Sequence, residues 1–455
     1  MITLSFFGGA KEVTGACYLL DIDATRILID CGLFQCPRFC EQKNDQPFPF
    51  EPNTIDALMV THAHIDHIGR VPKLMREGFN GTIYSTRPTK DFADLMLTDS
   101  LGILEKEARK ERQEVFYSQE HIAKALSHWQ GMEYHQPFSI KNATVTLRDA
   151  GHILGSAIVE IDAPSNQKNI KIVFTGDLGN SPNPLIAPTD TVAGAHHLII
   201  ESVYGNRIHE TDPERKGKIE RVMEDTFAKG GVLMIPAFSL ERTQELLFEL
   251  NELIEHHRVP RVPVFIDSPL AIKATRIYRM YRQYFSKQAN AILKMDDDLF
   301  NFPGLERTET TENSKAINNV PPPKMIIAGA GMMQGGRILH HAKRYLPDPK
   351  STLLFIGYQA KGSIGRRLID GAREVSIMSE RIPVAATIKA IGGYSAHADA
   401  DALFNFVAES KTTLKNVFVV QGEEEAANAL AERIKNNLAV NARVPEPGET
   451  VILEE

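Results

Sequence analysis

The chain has 455 residues, a formal net charge of −7 and 43% hydrophobic residues. A chain of this length usually divides into two domains, and its composition excludes disordered and fibrous proteins. The negative charge excludes a surface covered with basic residues, so a nucleic acid could bind only in a local groove. The start MITLSFFGGA lacks a signal-peptide pattern and no apolar run is long enough to span a bilayer, so we expect a cytoplasmic protein.

Short strands dominate the sequence up to about residue 200. Their valine and isoleucine content and their turn-rich flanks predict two stacked sheets. The predicted strands are ITLSFFG, ACYLLDI, TRILIDCG, IDALMVT, ATVTLRD, AIVEIDA, IKIVFTGD and HHLIIES. Amphipathic helices are predicted directly after Asp66 and between about residues 88 and 128.

All four cysteines lie near the start of the chain, at Cys17, Cys31, Cys36 and Cys40. The last three could form a soft metal site or include a disulfide. We favour reduced thiols without such a role, because no CxxC pair occurs and cytosolic thiols are normally reduced.

Past residue 210 helices alternate with single apolar strands. Asp212 and Pro213 suit the cap and first turn of a helix that ends near Gly230. The strands VLMIPAF, VPVFID, KMIIAG and TLLFIGY follow, and the alternation predicts a mainly parallel sheet flanked by helices. Residues 295–323 are polar and end in a proline run, so we expect a surface loop there.

After about residue 380 short strand patterns return. We therefore expect one domain built from residues 1–205 and 381–455, with a second domain at residues 206–380 inserted into it.

The segment THAHIDHIGR concentrates titratable groups where the apolar strand IDALMVT ends. In extended chain His62 and His64 point the same way, whereas Asp66 and His67 open the following helix and can face the same point from the other side. Burying four such groups without a cation would cost several kcal/mol. The motif therefore predicts a divalent metal site.

Two further candidates for metal ligation follow predicted strands. His152 lies in GHILGSA, and Asp177 lies in a glycine-flanked turn within VFTGDLGN. A carboxylate at such a turn can bridge two cations about 3.5 to 4 Å apart and hold a shared water between them. We therefore expect these residues to complete a pair of metal sites.

The motifs ILIDCG, HAHIDH, GHILGS and FTGD together resemble those of the metallo-β-lactamase fold, an αββα sandwich with a dinuclear zinc site. ESVYGNR, the inserted α/β region and GGYSAHAD resemble the β-CASP subgroup, whose members are nucleases. The resemblance runs over nearly the whole chain. It implies an α/β protein with a β-CASP domain inserted into the sandwich.

Residue by residue, the resemblance implies two zinc ions per chain. His62, His64 and His152 would bind the first, Asp66 and His67 would bind the second, and Asp177 would bridge them. Asp30 would steady the ligand loops from behind. Glu201 and His397 would be the acidic residue and the histidine of two subgroup motifs. Asp66, Glu201 and His397 are the candidate catalytic residues.

Gln421 in VFVVQGEEEA departs from the subgroup pattern. RNA-acting members generally carry a histidine at this place, and DNA-acting members usually carry valine. An amide oxygen can bind a cation but is a poorer zinc ligand than imidazole. We therefore expect the second metal to be weakly held, or to be manganese.

Three loops of the inserted region are candidates for gripping phosphates. AGAGMMQGGR contains Gly331 and Arg337, and GYQAKGSIGRR contains Lys361 and Ser363. PAFSLERTQE places Ser239 at a predicted helix cap and Arg242 in the first helical turn. Backbone N–H groups of such loops can cradle a phosphate, although tight strand-to-helix turns are an equally simple interpretation.

These features and the resemblance predict hydrolysis of RNA. We expect the RNA to be single-stranded, because one strand can enter a narrow cleft between two domains where a duplex cannot. A hydroxide between the two ions would attack the phosphate, and His397, held by Glu201, would donate a proton. Three alternatives stay open: a noncatalytic RNA-binding relative, a DNA-directed nuclease and a small-molecule hydrolase. A homodimer and the choice between endo- and exonuclease action are also left open.

Overall fold

The structure is a computed structural model that describes residues 1–35, 41–112, 114–164, 169–209, 215–357, 359, 362–392 and 394–453. The chain forms two compact units. Unit 1 contains Met1–Ile208 and His397–Glu455, and unit 2 contains His209–Ala396. In the part of the chain that the structure describes, no helix is both long enough and apolar enough to cross a membrane.

Among the described residues, the first part of unit 1 carries eleven strands and five α-helices. The strands are β1 (Ile2–Gly8), β2 (Cys17–Ile22), β3 (Thr25–Ile29), β4 (Ala57–Met59), β5 (Thr82–Thr86), β6 (Trp129–Met132), β7 (Phe138–Ile140), β8 (Ala143–Asp149), β9 (Ala157–Ala163), β10 (Ile170–Phe174) and β11 (His197–Glu201). The helices are α1 (Glu41–Asp45), α2 (Ile65–Ile68), α3 (Val71–Arg76), α4 (Arg87–Glu111) and α5 (Gln119–Ser127).

Unit 2 contains a second group of helices and strands. Its helices are α6 (Arg215–Ala228), α7 (Arg242–Glu255), α8 (Pro269–Met280), α9 (Lys287–Ile292), α10 (Thr311–Ala316), α11 (Ile338–Tyr345) and α12 (Ile364–Ile369). Its strands are β12 (Val232–Pro236), β13 (Val264–Asp267), β14 (Leu305–Arg307), β15 (Lys324–Ala328), β16 (Thr352–Phe355), β17 (Glu374–Ile377), β18 (Glu380–Pro383) and β19 (Thr387–Ala390).

The chain then returns to unit 1. The returning elements are α13 (Ala400–Glu409), β20 (Asn416–Val420), α14 (Glu424–Leu438), β21 (Asn441–Arg443) and β22 (Thr450–Leu453). β22 pairs with β1, and β20 pairs in parallel with β11. The two ends of the chain therefore build the same pair of sheets.

Two seven-stranded sheets form the centre of unit 1, in the orders β22-β1-β2-β3-β4-β5-β6 and β21-β20-β11-β10-β9-β8-β7. β8 shows why the sequence folds this way, because Ala143, Val145 and Leu147 are buried while the residues between them are half-buried. This two-residue period is that of a strand with one face in a core. The predicted pair of stacked sheets is confirmed.

The core between these sheets takes side chains from both. Leu4, Phe6 and Leu20 from one sheet pack with Val159 and Phe174 from the other, and all five are at most 1% exposed. The outer face of the second sheet packs against α13 and α14 in a separate apolar cluster, and α4 packs along β5 and β6 of the first. Unit 1 is thus a sandwich with helices outside both sheets.

Unit 2 is built on a six-stranded sheet in the order β14-β13-β15-β12-β16-β19. Every neighbouring pair in it is parallel, as the alternation of strands and helices predicted. The strands β12 and β15 are buried along their whole length, as expected for a sheet covered on both faces.

The surface loop expected at residues 295–323 is a wrong prediction. Leu305–Arg307 pairs with β13 as the edge strand β14. Thr310 then starts α10 by accepting a hydrogen bond from the backbone N–H of Asn313. The polar composition hid both elements, because an edge strand and a short exposed helix need few apolar residues.

The expected helix cap at Ser239 is also wrong. Helix α7 begins at Arg242, and Glu241, with φ 61°, is the residue at its cap position. The loop before it is held by Thr243, whose hydroxyl donates to the Phe238 carbonyl at 2.7 Å. This local hydrogen bond accompanies a helix start three residues after the serine.

The divisions between the units fall at 208/209 and 396/397, where the sequence predicted 205/206 and 380/381. Residues 381–396 lie with unit 2 because β18 pairs with β17 and β19 pairs with β16. Whether the two units are independently folding domains stays a prediction. The helix start predicted at Asp212 and Pro213 lies outside the described residues, as do Cys36 and Cys40.

Candidate metal centre

The candidate ligands of unit 1 lie in loops that follow strands. His62 and His64 come shortly after β4, His152 after β8, Asp177 after β10 and Gln421 directly after β20. Rigid strands that end at the same edge of a sandwich hold such loops in fixed positions. Residues from distant parts of the sequence therefore converge at one place.

Three histidines and one aspartate form the tightest group. Nδ1 of His64 lies 3.0 Å from Nε2 of His62 and 3.2 Å from Nε2 of His152. Oδ2 of Asp177 lies 3.4 Å from Nε2 of His62 and 3.5 Å from Nε2 of His152. His62, His152 and Asp177 are at most 4% exposed. The four ligand atoms all lie within 4.8 Å of one another.

Asp30 and Thr61 fix the ring of His62 from behind. The hydroxyl of Thr61 donates to Oδ2 of Asp30 at 2.7 Å, and its backbone N–H donates to Oδ1 at 2.8 Å. Since this hydroxyl has one proton, it accepts from Nδ1 of His62 at 3.1 Å. Nε2 of His62 then carries a lone pair toward the other ligands. The sequence did not single out Thr61, although its position directly before HAHIDH was the available signal.

The protonation of His62 suits a ligand. Burial, together with the neighbouring His67, lowers the pKa of His62 well below its ordinary value, so the ring is neutral. Neutral imidazole nitrogens and a carboxylate oxygen are the ligand set that zinc prefers. The group of His62, His64, His152 and Asp177 therefore fits a divalent cation.

The residues expected at a second ion are less closely gathered. Nε2 of His67 lies 3.3 Å from Oδ1 of Asp177 and Nδ1 lies 2.7 Å from Oδ2 of Asp30. Asp66 is half-buried, and burial raises the pKa of its carboxyl group. Among the described residues, neither Asp66 nor His67 belongs to a group of three or more ligands as tight as the first.

His67 is strongly polarised by its neighbours. Burial lowers its pKa, but the carboxylates of Asp177 and Asp30 outweigh burial and raise it well above the ordinary value. Burial also raises the pKa of the Asp177 carboxyl group. The rings of His67 and His62 have the opposite and larger effect, so the pKa of Asp177 lies well below its ordinary value. The pKa values of His67 and Asp177 therefore depend on each other, and a cation bound to Asp177 would change both.

Glu201 and His397 meet beside the first group. Oε1 of Glu201 lies 3.2 Å from Nδ1 of His397, and that nitrogen lies 3.8 Å from Oδ2 of Asp177. The backbone N–H groups of Leu178 and Val203 donate to the carboxylate of Glu201 at 2.8 and 3.2 Å. Burial lowers the pKa of His397, yet the charge and hydrogen bond of Glu201 raise it to about 9. The ring is therefore charged at neutral pH.

The two arginines proposed for phosphate binding are engaged inside unit 2. Nη1 of Arg242 donates to Glu245 at 2.8 Å, and Arg242 is buried. Nη1 of Arg337 donates to Oδ1 of Asp267 and to the carbonyl of Thr308, both at 2.8 Å. Their role in substrate binding stays a prediction.

The remaining candidates also lie in unit 2. Ser239 is half-buried beyond the carboxyl end of β12. A Cβ atom at Gly331 would come within 2.7 Å of the Phe238 ring, so a larger residue there would require this ring to move. Ser363 is buried and caps α12. Lys361 lies outside the described residues.

Comparison with known families agrees with this architecture. Residues 19–199 match the metallo-beta-lactamase superfamily domain, residues 243–368 match the Beta-Casp domain, and residues 381–445 match the Zn-dependent metallo-hydrolase RNA specificity domain. A ribonuclease of Thermus thermophilus is 37% identical over 426 residues, which are 94% of this chain and 94% of that protein. The chain belongs to the β-CASP family of the metallo-β-lactamase superfamily. The resemblance read from the motifs and the expected α/β fold class are confirmed.

Other β-CASP relatives carry a different name. A transcription termination factor, FttA, of Methanosarcina mazei is 32% identical over 467 residues, which are 99% of this chain and 72% of that protein. Among solved structures, a protein of unknown function from Enterococcus faecalis has a TM-score of 0.58 at 13% identity and covers 99% of both chains. That likeness supports the fold alone.

Proposed function

We propose that this β-CASP protein hydrolyses phosphodiester bonds of single-stranded RNA with the help of a divalent metal. The observation that carries the proposal is the convergence of His62, His64, His152 and Asp177, whose ligand atoms lie within 4.8 Å of one another. Holding these buried groups together is costly without a cation and favourable with one. A zinc ion bound there supplies a water of lowered pKa and positive charge beside the phosphate.

The chain's own residues supply the proton transfers. His397 is charged at neutral pH because Glu201 faces its Nδ1. A charged imidazole can donate a proton to the oxygen that leaves when the phosphodiester bond breaks. We assign Asp66, whose carboxyl pKa is raised by burial, to accept the proton of the attacking water.

RNA is the substrate class that the relatives support. Residues 381–445 match a domain described as an RNA specificity domain, and the Thermus relative is named a ribonuclease. We propose a single strand because the net charge of −7 offers no broad basic surface for a duplex.

In unit 2, we assign RNA contacts to loops beyond the carboxyl ends of neighbouring parallel strands. β15, β12 and β16 are adjacent in the sheet, and Ser239 and Gly331 follow two of them. The carboxyl edge of a parallel sheet is where open α/β sheets usually bind ligands. We assign Arg337 mainly to stabilise this edge of the sheet by its ion pair with Asp267 at the end of β13. A contact of Arg337 with a phosphate would be a secondary role.

The test is a cleavage assay with the purified full chain. End-labelled single-stranded RNA, its duplex and DNA of the same sequence are incubated with zinc or manganese. His64→Ala and Asp177→Ala should each lower RNA cleavage by more than about 100-fold, while His340→Ala, at an exposed histidine of α11, should not change it. Cleavage that survives both ligand substitutions would remove the metal mechanism. Cleavage of DNA alone would replace RNA as the substrate.

A further inference from the structure

Gln421 occupies a position where a second cation would need ligands. Its Nε2 lies 2.8 Å from Nε2 of His67 and 3.0 Å from Oδ1 of Asp177. The residue is 2% exposed, so these contacts are shielded from water. The sequence predicted that Gln421 would offer its oxygen to a metal, whereas the structure turns its nitrogen toward the site.

The side-chain oxygen and the backbone N–H of Gln421 are each held by a hydrogen bond. Oε1 accepts a hydrogen bond from the hydroxyl of Tyr18 at 3.4 Å, and burial keeps that hydroxyl protonated by raising its pKa well above the ordinary value. The backbone N–H of Gln421 donates to the Gly9 carbonyl at 2.6 Å. A Cβ atom added at Gly9 would lie 3.2 Å from Cγ of Gln421, which shows how closely the side chain is packed.

His67 is a suitable acceptor for this amide. Because Oδ2 of Asp30 lies 2.7 Å from Nδ1 of His67, the neutral ring carries its proton on Nδ1 and a lone pair on Nε2. A doubly protonated ring would place a donor against the amide donor at 2.8 Å. In the arrangement with the proton on Nδ1, the amide N–H of Gln421 meets an acceptor at Nε2 of His67.

The two oxygens of Asp177 divide between the two halves of the site. Oδ2 faces His62 and His152, at 3.4 and 3.5 Å. Oδ1 accepts from Gln421 at 3.0 Å and lies 3.3 Å from Nε2 of His67. The two N–H bonds of one amide group thus satisfy two of the atoms that a second cation would use, Nε2 of His67 and Oδ1 of Asp177.

We infer that this chain holds one tightly bound divalent cation, at His62, His64, His152 and Asp177, and that the amide group of Gln421 replaces a second one. The inference rests on the metal centre of the proposed function. To bind a second ion, the chain would have to break both amide hydrogen bonds and turn the amide against its contact with Tyr18. A histidine at this position would instead offer a lone pair, which a cation needs.

The test counts metal ions on the full chain. Metal-depleted protein is titrated with zinc, desalted and measured by elemental analysis. Wild type should retain about one ion per chain, and Gln421→His should retain about two, with affinity for the second ion raised at least about 100-fold. Gln130→His is the matched control, because it adds a histidine at an exposed position of β6, and it should retain about one ion.

Manganese provides a second readout that does not depend on activity. In Gln421→His, two Mn²⁺ ions held by one bridging carboxylate should show exchange coupling in electron paramagnetic resonance, and wild type should show isolated Mn²⁺.

Two tightly held ions in wild type would overturn the inference, and so would equal counts in wild type and Gln421→His. If the histidine variant folds poorly, the wild-type count decides alone. RNA cleavage is measured separately. If wild type holds one ion and does not cleave RNA, the inference is supported and the proposed function is contradicted. If wild type holds two ions and cleaves RNA, the proposed function is supported and the inference is contradicted.

Discussion

Nδ1 of His397 lies 3.2 Å from Oε1 of Glu201, although 196 positions separate the two residues in the chain. Glu201 ends β11 and is fully buried, and two backbone N–H groups hold its carboxylate. A carboxylate fixed in this way can orient an imidazole and favour its charged form. His397 therefore depends on Glu201 for both its direction and its charge.

Glu201→Gln should lower the rate of RNA cleavage by about 100-fold, because a neutral amide no longer favours the charged ring of His397. The affinity for a metal at His62, His64, His152 and Asp177 should change little, since Glu201 belongs to a separate group with Asp177 and His397. Single-turnover cleavage and elemental analysis measure the two effects. A rate within about twofold of wild type would show that His397 does not act through Glu201.

Thr61→Val should weaken metal binding by about 10- to 100-fold, because it removes the hydroxyl that joins Asp30 to the ring of His62. Valine has nearly the same shape, so the backbone contact of residue 61 with Asp30 should remain. Competition with a coloured chelator measures the affinity. Thr144→Val, at a half-buried position of β8, is the matched control. Equal affinities in the two variants would contradict the bridging role.

Asp267→Asn should destabilise unit 2. Asp267 is fully buried and lies 2.7 Å from Nε2 of His341 and 2.8 Å from Nη1 of Arg337. Burial raises its pKa, but hydrogen bonds from His341, Ser314, Thr308 and Arg337 outweigh burial and hold the pKa well below 3.8. Removing one partner of such a buried pair lowers the free energy of unfolding by about 3 to 5 kcal/mol.

This effect of Asp267 should depend on pH in a defined direction. A carboxyl group whose pKa is depressed in the folded state stabilises the fold fully above its unfolded pKa of 3.8. That contribution is lost as the pH falls toward the folded value. Urea unfolding measures the free energy of unfolding of wild type and of Asp267→Asn. The difference between these two free energies should therefore become smaller below about pH 4. If this difference in free energy of unfolding stays constant down to about pH 3, the charge of Asp267 is not its cause.

Asp370→Asn is the control for the pH series. Asp370 is exposed and lies 3.0 Å from Nε of Arg366, one helical turn away. Exposed pairs of this kind contribute little, so the free energy of unfolding should change by less than about 1 kcal/mol at any pH. A larger change would mean that charge in general, rather than burial, determines the result for Asp267.

Ser239→Ala tests the proposed RNA contacts in unit 2. The hydroxyl of Ser239 lies 3.3 Å from that of Ser268 beyond the carboxyl edge of the sheet. Loss of one hydrogen bond to RNA should raise KM by about 3- to 10-fold and leave kcat unchanged. Ser139→Ala, at an exposed position of β7, should change neither. A fall in kcat alone would contradict a binding role for Ser239.

The sequence by itself determined which residue types follow the strands. His62, His64, His152 and Asp177 were recognisable because a histidine-rich motif and glycine-flanked turns mark strand ends, where loops carry function. The stacked sheets of unit 1 and the parallel sheet of unit 2 were equally readable, since strand periods and the alternation of strands with helices are local patterns.

Only the tertiary structure decided how these groups face one another. The edge strand β14 needed β13 as its partner, and only the folded chain shows the ion pair between Arg337 and the buried Asp267. The direction of the Gln421 amide depends on Tyr18 and His67, which are far from it in the chain. One rotation of a glutamine side chain exchanges the positions of its amide nitrogen, a donor, and its amide oxygen, an acceptor. The surrounding contacts therefore decide which atom faces the site, and the identity of the residue does not.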